Sequence, residues 1–393
     1  MERCESGLIG TLGKRVNRKV PRVRIPLSTP RLAWHLGRLA SCHAFFMKLQ
    51  QNVQLSSLTT IGLGGKAQYF VVVSSADELR EALEYAKKEN LEIHILGGGS
   101  NTIFPDKEFE KLIIKIDIKG LLFQETNSHV HATVGAGERW DDLVKICVEN
   151  DYSGIECLSG IPGSVGATPI QNVGAYGQEV KDVIIEVKAV DIKSFAEVSF
   201  TNKECEFGYR TSRFKTTDKG KYIITEVVFQ LQKEGVPTIK YAELQRAVEA
   251  RHLASVNSAD KLQTIRNAVL ELRAKKSMVI NSEDPNTNSC GSFFTNPILT
   301  KEEFKELEAR AEVEVPFYPE EDKIKVSAAW LIEQAGWKKG HQENGVGISE
   351  NHSLALVNKG GTTAELMAFA EKIKKSVEDK FGIKLEIEPV VAG

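Results

Sequence analysis

Residues 159–180, SGIPGSVGATPIQNVGAYGQEV, set Gly160, Gly163, Gly166, Gly174 and Gly177 among Pro162, Pro169 and the polar Gln171 and Asn172. No regular helix or strand tolerates breakers at that density. The stretch reads as a long ordered loop. Such a loop carries a backbone entropy cost that a ligand can offset, and long structured loops in compact domains are usually functional. Two more glycine-rich stretches precede it. In ILGGGSNTIFPD, residues 95–106, consecutive small residues let backbone N–H groups converge on phosphate oxygens. There is no G-K-[ST], so it is not a P-loop. Gly97-x-Gly99-x-x-Thr102 lacks the last glycine of the dinucleotide fingerprint and runs into IFPD instead of a helix. In VGAGERWDDL, residues 134–143, Gly135 and Gly137 end a strand and lead into a helix, where backbone amides can face a ligand. Tight strand–helix packing explains that pair equally well. Three such loops in one chain point to a large phosphorylated cofactor.

The periodicity around these loops describes a mixed α+β body. A β-branched run at 70–73 is followed by a capping box at Ser75 and Glu78, a helix with Ala76, Leu79, Leu83 and Ala86 on one face, and a strand at 93–96. This β-α-β unit ends in the first glycine loop. Further strands are predicted at 111–118, 129–134, 183–190 and 222–232, with helices at 140–150, about 241–276 and 328–335. A last helix, capped by Thr362 and Glu365 and burying Leu366, Phe369, Ile373 and Val377, precedes a strand IKLEIEP at 383–389. Alternation places Lys384, Glu386 and Glu388 on its solvated face.

At 393 residues the chain is too long for one ordinary core, and its 41% hydrophobic residues suffice for two or three domains. The net charge of -2 hides an asymmetry. Residues 1–46 hold nine Lys or Arg against two Glu, leaving 42 basic and 51 acidic residues in the body. An acidic body argues against nucleic acid as the main partner. The six cysteines form no C-x-x-C pair, which suits a reducing cytosol and argues against zinc. Residues 1–46 show no amphipathic period, and their apolar runs are too short for a signal or membrane segment. They read as a disordered extension or the product of an upstream start codon, with the functional chain beginning at Met47, ahead of the alternative of a transit peptide.

Ser292 stands in NTNSCGSFFTNP, residues 286–297. Alone, that is a turn serine followed by two core aromatics. Its surroundings change the reading. TTIGLGGKA, LGGGSN, GAGERW, IPGSVGATPIQNVGAYG, FGYRTSRFK, GSFFTNP, AAWLIEQAG and FGIKLEIEP occur in an order and spacing that resemble the UDP-N-acetylenolpyruvoylglucosamine reductases (MurB), from Met47 to the end. GAGERW is weak alone; IPGSVGATPIQNVGAYG is highly specific.

The resemblance implies an α+β chain with a two-subdomain FAD-binding fold of the vanillyl-alcohol-oxidase type at 47–122 and 123–275. A smaller α+β substrate domain at 276–380 and a C-terminal strand at 381–393 returning to the active site complete it. It implies FAD and NADPH as cofactors, a small UDP-sugar as substrate, no nucleic-acid or membrane partner, a cytoplasmic location and a monomer. FAD contacts would come from Gly97, Gly98, Gly99, Ser100 and Asn101; from Gly135 and Gly137; and from Gly163, Ser164, Gly166, Ala167, Gln171, Asn172, Gly174 and Ala175. By motif match Ser292 is the proton donor, Glu388 an acid near the enolate and Arg210 the guanidinium that forks onto the substrate carboxylate. Tyr241, Lys276, Asn296 and Lys325 match substrate positions. Three departures stand out: Thr295 where lysine is common, EIEP in place of EPE, and His352 where glutamine is frequent. A flavin oxidase or 2-hydroxy acid dehydrogenase of the same superfamily would leave GSFFTNP and Glu388 unexplained. A non-catalytic UDP-sugar sensor sits badly with the presence of both catalytic groups, and the basic first 46 residues lack a nucleic-acid motif.

Overall fold

A computed structural model describes residues 47–235, 239–250, 258–320 and 322–393. The expectations for residues 1–46 lie outside the described residues. The described chain forms one compact unit, and among the described residues no helix is long and apolar enough to cross a membrane.

The predicted β-α-β unit is present, with one strand inserted. Lys66–Val73 and Ile93–Leu96 both run parallel to Phe109–Ile116, which lies between them, and Val53–Gln54 closes the far edge antiparallel. The helix Ala76–Lys88 is capped by Ser75, whose hydroxyl accepts from Glu78 N, but the Glu78 carboxylate reaches back to Ser74 instead of completing the box on Ser75. Next comes an antiparallel sheet ordered Glu197–Thr201, Ile184–Asp191, Tyr222–Lys233, His129–Gly135, Leu121–Glu125, with Tyr152–Ser153 also paired to Tyr222–Lys233.

One hydrophobic core spans both sheets. Val71, Leu79 and Ile114 from the parallel sheet and its helix share it with Val130, Trp140 and Val227. Close packing therefore couples residues 47–122 to 123–275. A second core joins Phe293, Leu331, Ile348, Leu366 and Phe369 of the C-terminal part to Ile61 and Ile103. Its sheets are Ser289–Ser292, Ala355–Asn358, Val346–Ile348, Gln342–Glu343 in order, and a separate three-stranded unit centred on Lys323–Val326. The last helix, Thr363–Phe381, has the full reciprocal box between Thr362 and Glu365 and stops at left-handed Gly382.

The chain end differs from its pattern. Residues 383–389 form no regular strand; Ile387 makes an isolated bridge to Phe294, and the ladder proper is Val390–Val391 running parallel to Thr102–Ile103. Pro389 has no N–H to offer a ladder. The backbone instead pairs with an irregular partner, Thr295 N donating to Glu386 O at 3.0 Å and Glu388 N to Phe293 O at 2.9 Å. Alternation holds through Glu386 and then fails, so Glu388 turns inward, its side chain only 10% exposed.

Candidate active site

The three glycine-rich loops pack on one another. Ser100 Oγ donates to Pro162 O at 3.1 Å, Trp140 N to Gly163 O at 3.1 Å, and Gly166 N to Ala136 O at 2.9 Å. A Cβ on Gly98 would fall 2.6 Å from Gly163 Cα, and one on Gly97 would fall 2.7 Å from Ser164 Oγ. The glycines are thus required by loop-to-loop contact. Backbone N–H groups of Gly98, Gly99, Ser100 and Asn101 donate to no described residue. Four consecutive donors beside Gly163 and Ser164 are the kind of backbone run from which an anion nest is built. The second loop is different. Gly135 N and Gly137 N donate to Gly120 O and Ile118 O, both at 2.8 Å, so the amides expected to face a ligand close a turn instead, and tight packing accounts for both glycines.

Gly99 has φ +69, and a Cβ there would collide with Leu58 O; Gly220 has φ +75 with open space around it. Gly99→Ala is expected to lower unfolding free energy by about 2–4 kcal/mol, strain and clash together, against about 1 kcal/mol for Gly220→Ala, where only the conformational cost applies. Urea melts of both variants check this; equal losses would remove the clash.

A chain of side chains leads from the first loop to the chain end. Asn101 Nδ2 donates to Gln171 Oε1 at 3.1 Å, and Gln171 Nε2 donates to Glu388 Oε1 at 3.2 Å. Glu388 Oε1 lies 3.0 Å from Arg210 Nε. Arg210 Nη2 donates to Gly174 O at 3.0 Å. The Nε–H is not aligned on the carboxylate, so it is a buried donor with no hydrogen-bond acceptor among the described residues, a rare state in a native interior. Burial pushes the Glu388 carboxyl above its ordinary range, against the opposing pull of Arg210, Lys215 and the Gln171 amide.

Ser292 ends the strand Ser289–Ser292, one residue before the carbonyl that binds Glu388 N. Its hydroxyl makes no hydrogen bond to a described residue. Gly291, at φ +73, turns the chain there, and Phe293 and Phe294 are fully buried in the C-terminal core. Ser292, Glu388 and Arg210, separated by up to 178 positions in sequence, belong to one neighbourhood.

Tyr241, Lys276, Asn296 and Lys325 gather nearby. Tyr241 packs edge-on against Tyr176 at 5.6 Å, and burial, then Tyr318, pushes its hydroxyl up to about 12. Lys276 pairs with Glu243 at 2.7 Å and lies over the Tyr176 ring. Lys325 pairs with Glu320 at 2.5 Å, lies over Tyr209 at 4.6 Å and faces Tyr318 across the ladder. Asn296 Oδ1 accepts from Ala328 N at 2.9 Å, fixing a helix start. Of the third-loop residues, Asn172 serves the scaffold: its amide bonds Glu179 and Gly208 O, and its carbonyl accepts from Lys181 N. Gly174 and Ala175 form a two-stranded ribbon with Gln178 and Glu179. His352 is half-buried, and desolvation, then neighbouring Lys276, pushes its imidazole down to about 4, so it is a neutral group where glutamine is frequent.

Residues 67–194 match the FAD binding domain model, and residues 284–392 match that of the UDP-N-acetylenolpyruvoylglucosamine reductase C-terminal domain. The chain is 44% identical over 353 residues to the UDP-N-acetylenolpyruvoylglucosamine reductase of Thermobifida fusca, covering 87% of this chain and 98% of that one. It is 38% identical over 347 residues to that of Flavobacterium johnsoniae, covering 87% and 99%. The chain belongs to the UDP-N-acetylenolpyruvoylglucosamine reductase family. The crystal structure of the reductase from Thermus caldophilus superposes with a TM-score of 0.60 over 88% of this chain and all of that one, at 23% identity, a likeness of fold. This member of the family is accordingly a flavin oxidoreductase with an FAD-binding region followed by the family's C-terminal domain. The free donors of the first loop fit the cofactor's pyrophosphate. Two groups passed over in the sequence touch these side chains: Lys215, inside the quoted FGYRTSRFK, which donates to Arg210 O, and Tyr209, whose ring lies under Lys325.

Proposed function

We propose that the protein reduces the enol ether of UDP-N-acetylglucosamine enolpyruvate to the lactyl ether of UDP-N-acetylmuramate, a cytoplasmic step of peptidoglycan precursor synthesis. It acts as a monomer with NADPH as reductant. FAD, when bound, supplies a hydride to the terminal vinyl carbon. Everything else falls to the chain. The electron pair displaced onto the adjacent carbon spreads into the substrate carboxylate as an enolate, and Arg210 stabilises that charge. Its buried Nε–H, without an acceptor, is the observation that carries this reading. Ser292 gives its proton to the enolate carbon, and Glu388, whose carboxyl burial pushes above its ordinary range, stands beside it as an acid. Lys276, Lys325, Asn296 and Tyr241 bind the UDP-sugar once the two lysines exchange Glu243 and Glu320 for phosphate oxygens.

Anaerobic stopped-flow of the FAD-loaded protein tests the proposal. NADPH should bleach the flavin, and the enolpyruvyl UDP-sugar should restore its colour with formation of the lactyl ether. Bleaching without substrate-dependent recolouring sinks the reading and favours a different electron acceptor.

A further inference from the structure

Arg210 sits at φ +51, in the left-handed region that non-glycine residues rarely occupy. Such a conformation persists where its surroundings over-determine it. The loop around it is anchored by Gly208 and Thr211 bonding each other and by Ser212 Oγ donating to Ile170 O at 2.7 Å. The carbonyl of Arg210 itself accepts from Lys215 Nζ at 3.0 Å. Lys215 is half-buried, and the charged groups facing it are Glu388 and Arg210, then exposed Glu386 and Lys219. Burial lowers its pKa, with Glu388 the strongest opposing influence.

The charges matter as much as the clamp. Arg210 and Glu388 compensate each other whenever both are ionised, so that pair alone exerts little net pull on an anion. Glu386 and Lys219 are exposed and screened. The lysine adds the positive charge that the pair lacks. We infer that Lys215 is a positioning residue for the reduction, fixing Arg210 in its left-handed backbone and giving the Arg210–Glu388 pair the net positive charge that a substrate carboxylate, and then its enolate, requires. The inference rests on the function proposed above.

The test uses the full FAD-loaded chain with Lys215→Met, which keeps length and removes charge, and Lys215→Arg, which restores charge. Calorimetry gives a readout apart from turnover: the preference for UDP-N-acetylmuramate, which bears the carboxylate, over UDP-N-acetylglucosamine, which does not. In Lys215→Met that preference should fall about tenfold and reoxidation by the enolpyruvyl sugar about ten- to a hundredfold, while bleaching by NADPH stays within about twofold. Lys215→Arg should recover both to within about threefold. Should the methionine variant fail to fold, as judged by lost flavin absorbance, Lys215→Gln carries the same measurements. A neutral variant that keeps the wild-type preference and reoxidation rate overturns the inference, as does an arginine variant as impaired as the neutral one. Wild-type protein with no carboxylate preference and no reoxidation would instead count against the proposed function.

Discussion

Ser292→Ala is expected to leave bleaching of the flavin by NADPH within about twofold of wild type and to slow reoxidation by the enolpyruvyl sugar by roughly 10²- to 10⁴-fold. The asymmetry follows from where the proton is used, since only the second half-reaction protonates carbon. The structure also makes this substitution a clean one. The Ser292 hydroxyl has no hydrogen-bond partner among the described residues, so its removal strands no buried donor. The neighbouring backbone is held independently, by Phe293 N donating to Leu354 O at 2.7 Å and by the buried Phe293 and Phe294 rings. Thermal stability should therefore be nearly unchanged. Anaerobic stopped-flow of both half-reactions decides; comparable slowing of the two would assign Ser292 to binding or folding.

Glu388→Gln should cut turnover about a hundredfold or more and change how stability depends on pH. The folded-state pKa of Glu388 is raised, with burial the largest cause. Between the ordinary carboxylate value and the raised one, the folded protein keeps a proton that the unfolded chain has released. Its stabilising contribution is complete below the unfolded pKa and is lost as pH rises through the folded one. Glutamine cannot ionise and carries no such loss. Relative to wild type, the variant should gain stability as pH climbs through that window. The exchange of a carboxyl for an amide beside Arg210 and Gln171 adds an offset that does not itself titrate. Urea melts at a series of pH values read the slope separately from the offset, and parallel wild-type and variant curves would mean that Glu388 titrates normally.

The local grammar of this chain was legible where one physical rule acts alone. The strand Ile93–Leu96, the helix beginning at Trp140, and the Thr362–Glu365 cap all stand where period and capping chemistry place them. The end of the chain was not. Alternation assigned Glu388 to a solvated face because a strand pattern knows only its own two sides, while Phe293 O, Gln171 and Arg210 supply a third environment from distant segments. The glycine loops were recognised for their ligand-holding backbone, yet Gly97 and Gly98 are small because Gly163 and Ser164 lie against them, a constraint invisible without the fold. Of the site, motif resemblance supplied the names Ser292, Arg210 and Glu388. Their mutual arrangement, and the part of Lys215, required a structure, since nothing in a linear spacing reports that a side chain reaches back to grip a left-handed backbone.

The pairing of Val390–Val391 with Thr102–Ile103 has a bearing on biosynthesis. Translation is vectorial, so the glycine loops and Arg210 emerge before the segment that pairs with Thr102–Ile103. Glu388 enters the site on a segment anchored by Val390 N and Ala392 N, which donate to Asn101 O and Ile103 O. Until that segment is made, the glycine loops and Arg210 stand without the Glu388 carboxyl beside them.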